Sequence, residues 1–338
     1  MTRMNLIDKI ALVGQRMKSE QISLKESLLA SSRVSVSDDS VEGVDRLIYN
    51  HCLNKKNLSD FFGKSRVTFN KILADLEEKR LVGQPIYQNK NHLYTRWDVQ
   101  NIMDALGYPR YRDYYQSRTI IVQNHKGGTG KSTTSVALAV AAALDLQLNA
   151  RVLVIEWDPQ GSIGSGMIQS VSEDDVFLTA IDAILGVYEE GSEYKKYLDM
   201  GYSEAEIIEN MPFSTHLPNL DVITAFPTDA RFKDKYWQCS KEERTQLLLR
   251  FKEVIMPVLK AKYDLIIFDT PPEDSPIIWA ADEAADGILV AVSPREYDYA
   301  STTDFMLTIS ERFRQSPNKG ENIKWFKVLA VNDDDKSK

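Results

Sequence analysis

His125-Lys126-Gly127-Gly128-Thr129-Gly130-Lys131-Ser132-Thr133 stands between an apolar run, Ile120-Ile121-Val122, and a stretch rich in alanine and leucine, Thr133 to Leu144. The run reads as a strand, the stretch as a helix, and the glycines as the turn between them. A polyphosphate is best held where unpaired backbone N–H groups converge at a helix N-terminus, because those donors and the helix dipole both favour an anion. Gly127, Gly128 and Gly130 let the chain curl around phosphate oxygens without a Cβ in the way. Lys131 opens the helix within reach of β- and γ-phosphates, Thr129 and Thr133 complete the cradle, and the Ser132 hydroxyl suits Mg²⁺. A tight turn without a ligand is the alternative reading. The order strand, glycine loop, helix argues against it.

One position departs from the usual loop. His125 occupies the place of its first glycine, and a second lysine, Lys126, follows at once. Two lysines around one set of glycines exceed what a single bound nucleotide needs. Lys126 either reaches phosphate on a neighbouring subunit, as a trans-acting cation, or is an ordinary solvated loop lysine.

Working outward, further strand candidates are Thr119 to Gln123, Arg151 to Glu156, Leu220 to Thr224, Leu265 to Asp269, Gly287 to Val292 and Phe326 to Val331. Several are near-continuous apolar runs, the pattern of parallel strands buried on both faces. Helical stretches separate most of them, which predicts an α/β P-loop domain, residues 119–338, with helices covering a mainly parallel sheet.

Lys126 to Ser132 resembles the deviant Walker A signature of ParA/MinD-type ATPases. Three more stretches are similar to that family: Val152 to Gly161 to its second-strand motif, Tyr263 to Pro272 to its Walker B strand, and Ile288 to Pro294 to the strand after it. With the module that precedes them, the match is to the larger plasmid-type ParA proteins. The resemblance implies several roles. Asp269 holds a Mg²⁺-bound water, while Asp158 orients the attacking water and lies near the metal. Lys126 crosses into a partner's site in a sandwich homodimer that ATP holds together and ADP loosens. Pro294 and its neighbours touch the base. Glu156 stands where the family usually has Asp, and its extra methylene is expected to alter metal coordination or slow turnover. The family's activity is magnesium-dependent ATP hydrolysis in plasmid partition or chromosome segregation. A ParB-type centromere-binding protein stimulates it, and ATP-bound dimers or filaments coat nonspecific DNA on the nucleoid. Proteins of this type continue beyond the strand at 326–331, so this chain is expected either to be truncated or to differ there. That leaves Arg312, Arg314 and Lys319 as candidates for the nonspecific DNA surface.

Residues 46–118 carry thirteen Lys/Arg against seven Asp/Glu, whereas the whole chain of 338 residues has a net charge of −8. A basic module precedes an acidic one. Leu58 to Phe62, the turn Gly63-Lys64-Ser65 and Arg66 to Arg80 read as helix-turn-helix, with Val67, Ile72, Leu73 and Leu76 inward. The runs 84–88 and 92–95 read as a hairpin wing, and Trp97 to Leu106 as a further helix. Arg66, Thr68, Asn70 and Lys71 open the second helix, the part that enters a major groove. Lys64 and Ser65 suit phosphates, and Lys90 stands at the wing tip. The module is expected to bind operator DNA and autorepress its operon. Residues 1–45 read as a helix at about 4–30, with Leu6, Ile10, Val13 and Met17 on one stripe, followed by a linker. The stripe docks either on its own chain or on a second copy.

Two cysteines, Cys52 and Cys239, make no CxxC pair. They exclude a disulfide framework and a nitrogenase-reductase-like cluster, and a cytoplasmic setting is expected. No apolar run is long enough for a membrane span, and no basic amphipathic tail supports a MinD-like membrane mode. The remaining alternative is an ATP/ADP-gated transcriptional regulator without motor function.

Overall fold

The computed structural model describes residues 6–41, 43–168, 176–293 and 296–331. They fall into two units that divide after Tyr108, earlier than the boundary read at residue 118. Arg112 accounts for the shift. Its guanidinium pairs with buried Asp264 at 2.8 Å and donates to the carbonyls of Ala261 and Lys262.

In the first unit a helix spans Leu6–Ser31, with Ile10, Val13 and Met17 exposed. The segment after it is tied down, contrary to the expected linker. Arg33–Val34 (β1) pairs antiparallel with Val44–Asp45 (β2). Short helices at Arg46–Asn50 and Lys55–Phe61 follow, then Arg66–Glu78 and Arg96–Ala105. Leu53–Asn54 (β3), Ile86–Gln88 (β4) and Asn91–Tyr94 (β5) form a three-stranded antiparallel sheet in the order β3-β5-β4. Asn89 and Lys90, with φ of 49° and 63°, make the tight turn between β4 and β5, as primed hairpin turns require.

Ser65 caps the Arg66–Glu78 helix by accepting from the Thr68 amide at 3.2 Å. That start sets the phase: Phe69, Leu73 and Leu76 are buried, while Val67 is 68% exposed. Of the expected inward residues Leu73 and Leu76 are buried and Ile72 is half-buried, and Val67 alone turns outward. Val67 precedes Phe69 by two residues, roughly 200° around the helix.

The second unit is built on a seven-stranded sheet. Its strands are Arg118–Gln123 (β6), Val152–Glu156 (β7), Phe213–Ser214 (β8), Leu220–Ile223 (β9), Leu265–Asp269 (β10), Gly287–Val292 (β11) and Trp325–Ala330 (β12). The order is β12-β11-β6-β10-β7-β9-β8, with every neighbour parallel except the β8–β9 pair. Only the two-residue β8 went unread. Alternation within strands feeds two cores. Val152, Val154 and Ile267 pack with Ala139, Ala142 and Ala143 of the Lys131–Leu144 helix. Leu153, Ile155 and Phe268 face the opposite side, among residues of helices 180–185, 241–250, 276–284 and 296–315. Central β6, flanked by β10 and β11, thus delivers the glycine loop to the C-terminal edge of the sheet, where open α/β sheets bind ligands. Among the described residues no helix is long and apolar enough to cross a membrane.

Candidate nucleotide site and basic face

The loop between β6 and the Lys131–Leu144 helix turns through Gly128 and Gly130, with φ of 76° and 80°, a region L side chains rarely adopt. Gly127 and Gly128 are exposed, so their backbone is open to a ligand. Thr129 is buried and donates to the Lys126 carbonyl at 3.3 Å. Thr133 is exposed one turn into the helix, and the Thr134 amide closes that turn on Gly130. The Lys131 ammonium is folded back across the loop and donates to the Lys126 carbonyl at 2.9 Å. Burial lowers its pKa, while nearby Asp269 and Asp158 pull it up. Half-buried Lys126 is held at its backbone, where its amide donates to Asn124 Oδ1 at 3.2 Å.

Asp269 ends β10 beside the loop and is fully buried. Ser132 Oγ donates to its Oδ2 at 2.7 Å and Ser135 Oγ to its Oδ1 at 2.9 Å. Burial pushes its pKa up to about 6 against the pull of those hydroxyls and of Lys131. A carboxylate that costly to bury is poised for a cation. The Ser132 and Asp269 oxygens converge as hard donors of the kind Mg²⁺ takes, with waters and phosphate completing its shell. Among the described residues no group of three His, Cys, Asp or Glu forms an all-protein metal cage. The donor set fits a cation that arrives with a phosphate.

Asp158 follows β7, and the Trp157 amide before it donates to the Asp269 carbonyl at 2.8 Å. In this state the Asp158 carboxylate accepts from the Gln160 amide at 3.0 Å and caps its own loop. It is close enough to Lys131 and Asp269 to shift both. Glu156 does not meet the expectation of an altered metal ligand. Its carboxylate accepts from the backbone amides of Ile163, Gly164 and Ala225. Pro294 lies outside the described residues.

Behind the loop lies a polar network with no local sequence signal. Arg312, on the Glu296–Gln315 helix, has a side chain only 7% exposed and pairs with Asp282 at 2.7 Å. It also donates to Gln123 Oε1 at 2.8 Å, Asp274 at 3.2 Å and His125 Nε2 at 3.4 Å. Because a guanidinium only donates, His125 Nε2 accepts and the ring carries its proton on Nδ1. Burial, Arg312 and Lys131 all lower the His125 pKa, and its ring meets Phe305 edge-on at 4.9 Å. The residue in place of the first glycine thus anchors the loop to this helix. Arg312 is thereby removed from the DNA surface candidates. Arg314 is exposed and paired with Glu311 at 3.0 Å, and Lys319 sits in a left-handed turn with φ of 50°.

In the first unit Arg66, Asn70 and Lys90 share a cleft of about 340 Å³ with Lys55, Lys56 and His92. Lys64, Thr68 and Lys71 are exposed. Ser65 and Thr68 are partly spent on the helix cap, their hydroxyls 2.9 Å apart. Lys55, Lys56 and His92 were missed because the helix expected from Leu58 begins at Lys55, and because His92 sits on β5. The signal available was Asn54, whose side chain caps the Lys55–Phe61 helix through the Asn57 amide at 2.9 Å and so places both lysines at its start.

Comparisons with known proteins bear on the family and the fold. A family model described as an AAA domain matches residues 117–322. The chain is 29% identical to a putative replication protein A of Rhizobium rhizogenes, over 69% of this chain and 56% of that one. It is 25% identical to plasmid partition protein A of Escherichia coli, over 76% of this chain and 63% of that one. The chromosome partitioning protein ParA of Myxococcus xanthus is 28% identical, over 57% and 58% of the two chains. The chain spans about three fifths of the length of these relatives. A solved partition protein superposes with a TM-score of 0.59 at 21% identity, covering 94% of this chain and 82% of its own, a likeness of fold.

Proposed function

Since the chain belongs to the AAA domain family and is a P-loop ATPase of ParA/MinD type, we propose that it is an ATP-driven DNA-partition motor. The observation that carries this reading is one loop bearing two lysines. Lys131 is buried against the loop's own carbonyl, near Asp269 where the Ser132 and Asp269 oxygens converge, and Lys126 is half-buried at the loop's start.

In this reading backbone amides from Gly127 to Thr133 hold the phosphates, with Pro294 beside the base. Lys131 moves from the Lys126 carbonyl onto the β- and γ-oxygens. Ser132 and, through water, Asp269 would hold Mg²⁺, which supplies charge neutralisation on the phosphates. Asp158 releases the Gln160 amide and turns to direct the attacking water. Lys126 enters the neighbouring subunit's site, so ATP joins two chains in a homodimer, with filaments as the higher assembly. The dimer coats nonspecific DNA on the nucleoid, and a ParB-type partner stimulates hydrolysis and releases it.

The basic cleft around Arg66, Asn70 and Lys90 supports a winged helix-turn-helix that binds operator DNA and represses the chain's own operon in the ADP state. The exposed stripe of the Leu6–Ser31 helix supports pairing with a second copy. Sedimentation with ADP and with ATP, for wild type and Lys126→Ala, tests the core of this. The variant should bind ATP yet stay monomeric through its ATPase unit; ATP-dependent pairing that survives the substitution refutes the trans-lysine account. Turnover is measured alongside, with DNA and the cognate partner added. Hydrolysis at background under every condition would replace the motor with a nucleotide-gated transcriptional regulator.

A further inference from the structure

We infer that Glu156 is a positioning residue for hydrolysis: its carboxylate fastens the Asp158 loop to the exit of β9. The inference rests on the reading of Asp158 as the residue that directs the attacking water.

Glu156 is the last residue of β7 and is 1% exposed. A carboxylate is buried at such cost only when donors hold it. Here Oε1 accepts from the Ile163 amide at 2.7 Å, and Oε2 from those of Gly164 at 3.2 Å and Ala225 at 3.5 Å. The first two belong to the Ser162–Met167 helix that closes the Asp158 loop, and the third follows β9. One side chain therefore clamps two segments that lie far apart in sequence.

The joint is also tight. A Cβ on Gly164 would lie 2.2 Å from Thr224 Cγ2, and one on Gly161 would lie 2.6 Å from the Ala225 carbonyl oxygen. At the loop's other end the Trp157 amide is bonded to the Asp269 carbonyl at 2.8 Å. Asp158 thus rides on a short span fixed to the metal-side strand at one end and to β9 at the other.

Length decides the side chain. An aspartate stops one carbon–carbon bond short, about 1.5 Å, so it cannot keep all three amides within hydrogen-bond range unless the loop follows it inward. Misplacing a reacting group by about 1 Å costs on the order of 10²-fold in rate. Phosphate binding, carried by the Gly127–Thr133 loop, is untouched by such a shift.

The test compares full-length wild type, Glu156→Asp, Gly164→Ala and Asp158→Ala. Three quantities are measured: magnesium-dependent ATP turnover, ATP affinity by calorimetry, and the thermal midpoint. Glu156→Asp draws the loop inward and Gly164→Ala pushes it off Thr224, so the joint is disturbed from opposite sides. Each is expected to lower kcat about tenfold or more while ATP affinity changes less than about threefold. Should Gly164→Ala not fold, Glu156→Asp decides alone. Asp158→Ala inactive with Glu156→Asp at the wild-type rate overturns the role of Glu156 only. Asp158→Ala at the wild-type rate overturns the reading of Asp158, and the inference with it. A parallel fall in kcat and ATP affinity would show a general disruption and also overturn it.

Discussion

Replacing Arg312 by Met separates a buried strut from a DNA contact. The substitution keeps most of the apolar stem and removes the guanidinium from its bonds to Asp282, Gln123, Asp274 and His125. Asp282 stands at about 6, raised by burial and held down by Arg312. At pH 7 its ionised form is therefore favoured by only about 1 unit, roughly 1.4 kcal/mol. Without Arg312 it becomes neutral, and that margin is lost. The bonds to Gln123 and Asp274 add about 0.5–1.5 kcal/mol each. The sum, about 2–4 kcal/mol, overlaps the 3–5 kcal/mol typical of a broken buried pair. For a unit of this size it lowers Tm by roughly 4–16 °C at 2–4 °C per kcal/mol. The pair's contribution is present above the pKa of Asp282 and fades as pH falls through about 6. The gap between wild type and Arg312→Met should therefore narrow by about 1 kcal/mol between pH 7 and 5.5. Chemical denaturation of the full chain at both pH values measures it. A variant within about 1 kcal/mol of wild type, with weakened DNA binding, would refute the strut and restore Arg312 to the surface.

Other outcomes follow from the same geometry. Asp269 near 6 must be ionised to face a cation, so magnesium-dependent ATP uptake should weaken as pH falls through about 6. The sign is opposite for the empty fold: a carboxyl raised in the native state favours folding at low pH and withdraws that support as pH rises through 6. Melting curves with and without magnesium and ATP distinguish the two trends. Ser65→Ala removes the cap of the Arg66–Glu78 helix and should cost about 1 kcal/mol, seen as a lower first transition in calorimetry and as weaker operator binding by anisotropy. If Lys55, Lys56, Arg66 and Lys90 each neutralise one phosphate, log affinity should fall with log salt at a slope of about −3.6. Replacing Lys55 and Lys56 together should flatten that slope by about 1.8.

The glycine loop and six of the seven main-sheet strands were legible because their signals are local: an apolar run, a turn that needs glycine, a helix start. The Ser132–Asp269 pairing was legible too, since strand ends and loops share one edge of the sheet. What stayed hidden lies in long-range partners and in phase. Arg312 meets residues as distant as Gln123, and nothing within its own helix distinguishes it from an exposed basic residue. Glu156 invited comparison with a metal ligand because it stands near Asp158, whereas its partners are amides that only folding brings close. Apolar spacing alone turns Val67 inward, whereas the Ser65 cap sets a register that leaves it exposed. The segment after the first helix lacked periodicity, yet its polar side chains found acceptors and donors on the hairpin.

That last attachment has a mechanical consequence. The Ser37 amide and hydroxyl both donate to the Gln88 side chain, and the Tyr87 amide donates to Asp38 at 2.9 Å. Together with β1 and β2 these bonds splice the end of the long N-terminal helix to the β4–β5 hairpin. A torque applied to the helix reaches the hairpin tip without passing through a free swivel. Helix and tip behave as tiller and rudder: whatever takes hold of one steers the other, and Lys90 at the tip swings with it.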